Sequence, residues 1–457
     1  MNTTVVILAA GLGKRMRSKR AKVLHRAGGL ALIEHVAGAA RAIAEPDRVV
    51  AVTGHQAEEV EKLLCGSGIG FVRQQEQKGT GHALAACREA VSGNGGLLMV
   101  LYGDTPLLSA ATLTRLRDVQ AHSVAAATMI TTTLEDPTGY GRVVVEDGNV
   151  KAIVEHRVCT PEQLAIKVIN SGIYCFRADL LWKHLGEIEP NNASHEYYLT
   201  DIAEIFARHG HTLRAMHVDD PSELLGINTQ VELAEADRIL RRRKNDELML
   251  SGVTIEQPET VTIDALVQVG ADTIIEPFAR LLGKTQVGED CRIGAGAIIE
   301  SCVLDDHAVV KPYCVMTDSR VQSLAEVGPF SRLRPKADVG PNARVGNFVE
   351  LKNTRLGAGS KSQHLAYLGD SDIGEKVNVG AGTITCNYDG TTKSKTKIGD
   401  RAFIGSNSTI VAPIEIGEDS YIGAGSVVTE TVPKDALALG RSRQVNKKDW
   451  VAKRRAK

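Results

Sequence analysis

A chain of 457 residues is too long for a single hydrophobic core, so at least two domains are expected. Lys and Arg number 54 against 55 Asp and Glu, a formal net charge of −1. That balance gives no footing for a nucleic acid or an acidic membrane surface, and any anion must be held by local geometry.

Eight scattered cysteines form no Cys-x-x-Cys pair and no zinc-spaced cluster, which reads as reduced, mostly buried thiols. The apolar residues 4–10 are followed, not preceded, by basic ones, the wrong order for a signal peptide. No run approaches the roughly 18 apolar residues of a membrane span. A cytoplasmic location without membrane attachment is expected.

Up to about residue 225, β-rich runs at 5–10, 49–53 and 97–101 alternate with helical stretches at 31–44 and 83–91. This predicts a parallel sheet with helices on both faces, whose ligands sit beyond the carboxyl ends of the strands. The first strand ends in Leu8-Ala9-Ala10-Gly11-Leu12-Gly13-Lys14-Arg15-Met16. The glycines let backbone N–H groups approach phosphate, and Lys14, Arg15 and Lys22 supply positive charge. The segment is neither a Walker loop nor the dinucleotide fingerprint, since Met16 stands at the third glycine position, and an ordinary tight turn is the other reading. Asp104, after the strand ending at Tyr102-Gly103, reads as a Mg²⁺ ligand or as a turn and cap residue. Asn228 reads as a further oxygen ligand or as a helix cap.

Thr229 and Glu232 form a capping box opening a predicted helix over 230–250, which Gly252 stops. The predicted domains are 1–230, a helical linker 231–251, and 252–457 ending in a short tail. Beyond the helix, aliphatics recur every six residues at Val287, Ile293 and Ile299, at Val327 to Leu351, at Ile373 and Val379, and at Ile398 to Val428. This is the period of a parallel β-helix, and the glycine following most of them is expected to turn the corners. The intervals 351–373 and 379–398 break the period and are expected to leave the coil as loops, carrying Lys361, His364 and Tyr367, and Asn387, Tyr388 and Lys393. Cys386 is expected to act as a buried small hydrophobe. The basic runs 241–244 and 447–457 are expected to be solvated faces.

The opening segment, Lys22-Val23-Leu24, Gln74 with Gly79-Thr80-Gly81-His82, Tyr102-Gly103-Asp104, Asp136-Pro137-Thr138-Gly139-Tyr140-Gly141-Arg142, Val154-Glu155-His156 and Asn170-Ser171-Gly172 resemble the sugar-nucleotide pyrophosphorylases. With the six-residue repeat behind them, nearly the whole chain resembles the bifunctional N-acetylglucosamine-1-phosphate uridyltransferase/glucosamine-1-phosphate acetyltransferases. The resemblance implies an α/β Rossmann-like nucleotidyltransferase domain joined by a long helix to a left-handed parallel β-helix. It also implies acetyl transfer from acetyl-CoA, then uridylyl transfer from UTP with Mg²⁺, yielding UDP-N-acetylglucosamine for peptidoglycan and lipopolysaccharide, in a homotrimer.

By the same resemblance, Leu8, Ala9, Ala10, Gly11, Tyr102 and Gly103 line the nucleotide site, and Gln74, Gly79 and Thr80 read uracil. Gly141, Glu155 and Asn170 hold the N-acetylglucosamine, Asp104 and Asn228 the metal, and Arg15 and Lys22 the phosphates. In the coil, His364 is implied as general base with Glu350 orienting it. Arg334, Lys352, Tyr367, Asn378 and Lys393 are implied to hold the amino-sugar phosphate, and Ala381, Asn387, Tyr388, Ser406, Ala424 and Arg441 the acetyl-CoA. Lys14, Ala21, Gln363, Ala366 and Gly440 depart from the family's usual residues. A monofunctional nucleotidyltransferase with a purely structural coil, and a non-catalytic nucleotide-sugar sensor, are the alternatives.

Overall fold

The computed structural model describes residues 2–91, 93, 95–190 and 195–455. Its contacts divide the chain into two compact units, with the division between Leu240 and Arg241 inside the helix Gln230–Leu250. The capping box is made as expected: the Thr229 N–H donates to Glu232 Oε2 at 2.8 Å and the Glu232 N–H to Thr229 Oγ1 at 3.2 Å.

The first unit is built on a nine-stranded sheet. Edge to edge its order is Gly70–Arg73, Val49–Thr53, Thr3–Leu8, Leu97–Tyr102, Val168–Arg177, Ala127–Thr133, Leu213–His217, Asn149–Val154 and Arg142–Glu146. Thr3–Leu8 is buried at every position and parallel to both neighbours, the condition that calls for a continuous apolar run. Alternate side chains go to opposite faces. Val5 and Ile7 pack with Ile33 and Val36 of the helix Leu32–Arg41, whereas Val6 and Leu8 pack with Ala83 and Leu84 of the helix Thr80–Ala86.

The expected parallel sheet holds for Val49–Thr53, Thr3–Leu8 and Leu97–Tyr102, while Val168–Arg177 runs antiparallel to both Leu97–Tyr102 and Ala127–Thr133. An alternation of apolar runs carries no information about strand direction.

The second unit is a left-handed parallel β-helix whose short strands stack in three parallel sheets of eleven, ten and nine strands. Most of the two-residue strands bury one residue; Ile293, Val310, Val327, Val345, Val379, Ile404 and Ile422 form one inward column, all buried. The corners are turned differently from expectation. The residue in left-handed backbone comes three positions after the inward one, as at Phe330 (φ 55), Phe348 (φ 58) and Leu365 (φ 44). The glycine serves close approach instead: a Cβ on Gly405 would lie 2.5 Å from the Ala424 nitrogen of the next coil.

Two further expectations change. The interval 351–373 is not a loop but continuous coil, stepping inward at Leu351, Leu356, Ser362, Leu368 and Ile373, all buried. Five-residue steps at one corner and a serine in an aliphatic slot hide the repeat. The second interval does leave the coil: after the buried Thr385, residues 387–395 form an excursion closed by an antiparallel bridge between Tyr388 and Lys393.

Arg241 and Lys244 are not simply solvated. Arg241 donates to Asp264 Oδ1 at 2.9 Å and Lys244 to Glu247 Oε1 at 2.8 Å, with both basic side chains mostly covered. Trp450–Arg455 in the basic tail is exposed, whereas Ala456 and Lys457 lie outside the described residues. All eight cysteines are free; Cys65 is exposed, and Cys159 and Cys386 are half-buried rather than interior.

One corner of the coil carries exposed aromatic side chains. Tyr313, Phe330 and Phe348 stack at 5.3 and 5.6 Å between ring centres, in a backbone region that bulky residues disfavour.

Ile404→Ala, which empties a slot of the inward column, is expected to cost about 2–5 kcal/mol. Ser362 Oγ is buried without a hydrogen-bond partner, so Ser362→Ala is expected to be neutral or stabilising by up to about 3 kcal/mol. Thermal and urea transitions of the two variants check both signs; a destabilised Ser362→Ala would show that the hydroxyl is satisfied.

Candidate active sites

In the first unit the loops after the central strands converge on two adjoining cavities. The first, of about 450 Å³, is lined by Leu8, Ala9, Ala10, Gly11, Lys14, Lys22, Gln74, Gly79 and Thr80, with Tyr102 and Asp104. The second, of about 280 Å³, is lined by Tyr140, Gly141, Glu155, Asn170 and Asn228. Thr80, Tyr102 and Asp104 belong to both. Gly103 lines neither cavity; its N–H is bonded to Leu8 O at 2.9 Å, which fastens the ends of two strands together.

The polar groups are positioned by short-range bonds. Gln74, almost fully buried, has its Nε2 2.8 Å from Nδ1 of His82 and 3.3 Å from Gly79 O, so its amide is aimed from two sides. His82, part of the Gly79-Thr80-Gly81-His82 motif, thereby helps to hold the Gln74 amide. Gly79 has φ +105, and a Cβ there would lie 2.5 Å from Tyr197 O, so only glycine fits. Asn170 Oδ1 accepts from the Gly172 N–H at 2.7 Å and the Tyr174 hydroxyl at 3.2 Å. Burial pushes the Glu155 carboxyl above its usual range.

Cations and oxygens meet at the junction of the cavities. Lys22 Nζ forms an ion pair with Asp104 Oδ2 and donates to Asn228 Oδ1 at 3.0 Å, and Arg15 Nη2 donates to the same Asn228 oxygen at 2.9 Å. Asp104 and Asn228 therefore direct hard oxygen donors at one point, now taken by an ammonium, a donor set that suits a divalent cation such as Mg²⁺. Arg15 lines neither cavity and reaches the site through Asn228. The departure at Ala21 has a structural reading: its N–H donates to Gln56 Oε1 at 2.6 Å, a bond proline cannot make.

In the second unit, parallel stacking brings the candidates together by register. Asn347 lies directly opposite His364, and Glu350 opposite Tyr367. His364 is exposed at the end of the strand Lys361–His364, not on a loop, and its Nδ1 is 2.9 Å from Asn347 Oδ1. With the amide oxygen as acceptor, Nδ1 carries the proton and Nε2 presents the lone pair. Glu350 is instead paired with Arg334 at 3.1 Å. Asn347, unnoticed in the sequence, lies one coil before His364; the coil period would have found it.

Lys352 and Asn387 also meet an unforeseen partner. Asp370 is 7% exposed and accepts hydrogen bonds from Lys352 at 2.7 Å, from Asn353 at 2.7 Å and from Asn387. Burial raises its carboxyl, but these three bonds outweigh burial and hold it below the usual carboxylate range. Asp370 thereby ties the 387–395 excursion to the coil beneath. The Tyr367 hydroxyl lies over Gly369 beside Asn387. Ala381, Ser406 and Ala424 occupy one corner of successive coils, linked by Asn407 N–H to Ala381 O at 2.7 Å and Gly425 N–H to Ser406 O at 2.8 Å, with Arg441 alongside Gly425. Asn378 faces the next coil through Phe403, and Tyr388 and Lys393 lie exposed on the excursion.

A MobA-like NTP transferase domain matches residues 5–157, and the bacterial transferase hexapeptide (six repeats) matches residues 266–301 and 395–430. The chain is 55% identical over 453 residues to the bifunctional protein GlmU of Solibacter usitatus (strain Ellin6076), covering 99% of this chain and 97% of that one. It is 48% identical over 456 residues to the bifunctional protein GlmU of Koribacter versatilis (strain Ellin345), with 99% and 97% covered. Identity to the bifunctional protein GlmU of Pelobacter propionicus is 45% over 452 residues, with 98% of each chain covered. With an NTP transferase domain ahead of hexapeptide coils and such identity end to end, the chain belongs to the bifunctional GlmU family.

Proposed function

We propose that residues 1–230 join UTP to N-acetylglucosamine-1-phosphate, that residues 252–457 first make that sugar by acetylating glucosamine-1-phosphate, and that the helix 231–251 links them. The product, UDP-N-acetylglucosamine, is a precursor of peptidoglycan and lipopolysaccharide. The observation that carries the reading is the pair of abutting cavities sharing Asp104, one walled by a glycine loop and Lys22, the other by Glu155 and Asn170.

In uridylyl transfer, a phosphate oxygen of the sugar phosphate attacks the α-phosphorus of UTP, forming a P–O bond as the bond to pyrophosphate breaks. The nucleophile is already an anion, so no general base is required, and positioning and charge neutralisation do the work. Gln74, held by His82, reads the uracil edge, with Gly79 and Thr80 beside it. Leu8 to Gly11 pack along the nucleoside and present backbone N–H groups. Lys22 and Arg15 turn from Asp104 and Asn228 toward phosphate oxygens. Asp104 and Asn228 are the residues that would hold Mg²⁺, which when bound neutralises phosphate charge. Gly141, Glu155 and Asn170 orient the sugar.

In acetyl transfer, the sugar amine attacks the thioester carbonyl of acetyl-CoA. The N–C bond forms, the C–S bond breaks, and the thiolate leaves. His364 Nε2 takes the amine proton while Asn347 holds the ring through Nδ1. Arg334, Lys352, Tyr367, Asn378 and Lys393 hold the sugar phosphate. The corner of Ala381, Ser406, Ala424 and Arg441, with Asn387 and Tyr388, receives the coenzyme.

The exposed ladder of Tyr313, Phe330 and Phe348 supports packing between copies of this chain, which we assign as a homotrimer. Among the described residues no helix is long and apolar enough to cross a membrane. Eight free thiols fit a reducing compartment, and we assign the cytoplasm.

His364→Ala is expected to slow acetyl transfer by about 10²–10⁴-fold and to leave uridylyl transfer unchanged. Lys22→Ala is expected to do the reverse, lowering uridylyl transfer by about 10²–10³-fold. Separate assays of CoA release and pyrophosphate release read each half; loss of both activities in either variant would defeat the assignment of one reaction to each unit. Phe330→Glu combined with Phe348→Glu is expected to lower the mass seen by light scattering to that of a monomer, and an unchanged mass would remove the ladder as an interface.

A further inference from the structure

The helix Ala178–His184 ends on His184 and passes directly into the turn Leu185–Glu187, and the chain leaving the helix Ile202–Arg208 carries His209 and His211. These side chains meet. The two oxygens of Glu187 are taken by different imidazoles: His184 Nδ1 is 2.7 Å from Oε1, and His209 Nε2 is 2.9 Å from Oε2. The rings of His184 and His209 lie 4.2 Å apart between centres, and His211 meets His184 edge-on at 5.3 Å. None of the four lines either cavity described above.

A hydrogen-bonded cluster explains the two bonds to Glu187 but not the rest of His184. That residue is 2% exposed, and its Nε2 is buried without a partner. The nitrogen facing Glu187 is Nδ1, which leaves the ring's other nitrogen without a partner inside the protein. Imidazole nitrogen is a common ligand of transition metals, and His184 and His209 each turn one ring nitrogen toward Glu187, so the three side chains converge.

One ligand atom from each of His184, Glu187 and His209 lies within 4.8 Å of the others, and this is the one such group among the described residues. His209 and Glu187 are each about two-fifths exposed and have room to close on an ion. Two imidazoles and a carboxylate favour Zn²⁺, Co²⁺ or Ni²⁺ over Mg²⁺, which prefers oxygen alone.

We propose that His184, Glu187 and His209, with His211 at the rim, bind one divalent transition-metal ion that fastens the end of the helix Ala178–His184 to the segment following Ile202–Arg208. The site is structural and separate from the transfer chemistry. An ion bound only by the folded chain raises its stability.

The test uses the full chain without a histidine tag, stripped with chelator and titrated with Co²⁺ in excess Mg²⁺. The expected result is one equivalent bound, visible ligand-field bands of nitrogen-coordinated cobalt that Zn²⁺ displaces, and a raised Tm. His209→Ala and Glu187→Gln are each expected to abolish the bands and the Tm rise while keeping wild-type circular dichroism and uridylyl transfer. Absence of bands in the wild-type chain, or bands of equal intensity in both variants, would overturn the site.

Discussion

The geometry of the second unit rests on one repeating constraint, the inward aliphatic column that locks each coil onto the next. Ile404 opposes Ile422 and Asn347 opposes His364, so coils of eighteen or seventeen residues bring every side chain back above its counterpart. Burying such an aliphatic contributes about 1.5–3 kcal/mol, whereas an exposed ion pair contributes about 0–1 kcal/mol. The polar groups on the outside therefore do not hold the register; they ride on it. Ala381, Ser406, Ala424 and Arg441 are neighbours because the column beneath them keeps step.

The first unit has no such period. Its candidate residues come from the ends of separate strands, and what brings Gln74, Asp104, Glu155 and Asn228 together is the strand order, with Leu97–Tyr102 between Thr3–Leu8 and Val168–Arg177. Local bonds then set each orientation, as His82 does for Gln74 and Tyr174 for Asn170.

This difference explains what was legible in advance. The capping box, the first strand and the six-residue repeat are local signals, and the structure contains all three. The continuity of 351–373 was hidden because Ser362 sits where an aliphatic was sought and because one corner alternates between five- and six-residue steps. Strand direction at Val168–Arg177 leaves no trace in a single sequence. Residue type likewise pointed to His364 and Lys352 but not to their partners: Asn347 and Asp370 lie 17 and 18 residues away, distances that become contacts only once the coil length is known. Glu350, placed beside His364 by resemblance, has Arg334 within reach instead.

The contact between Lys22 and Asp104 has a consequence for how ligands arrive. While the ammonium and the carboxylate satisfy each other, neither a lone anion nor a lone cation gains much by entering, since each must first separate a pair that is largely shielded from water. On the proposed function, a cation that drew Asp104 away would free the lysine for an anion, and an anion that drew Lys22 away would free the carboxylate for a cation. Opposite charges entering together would meet the least resistance, so on that proposal the junction would favour a neutralised complex over either of its parts.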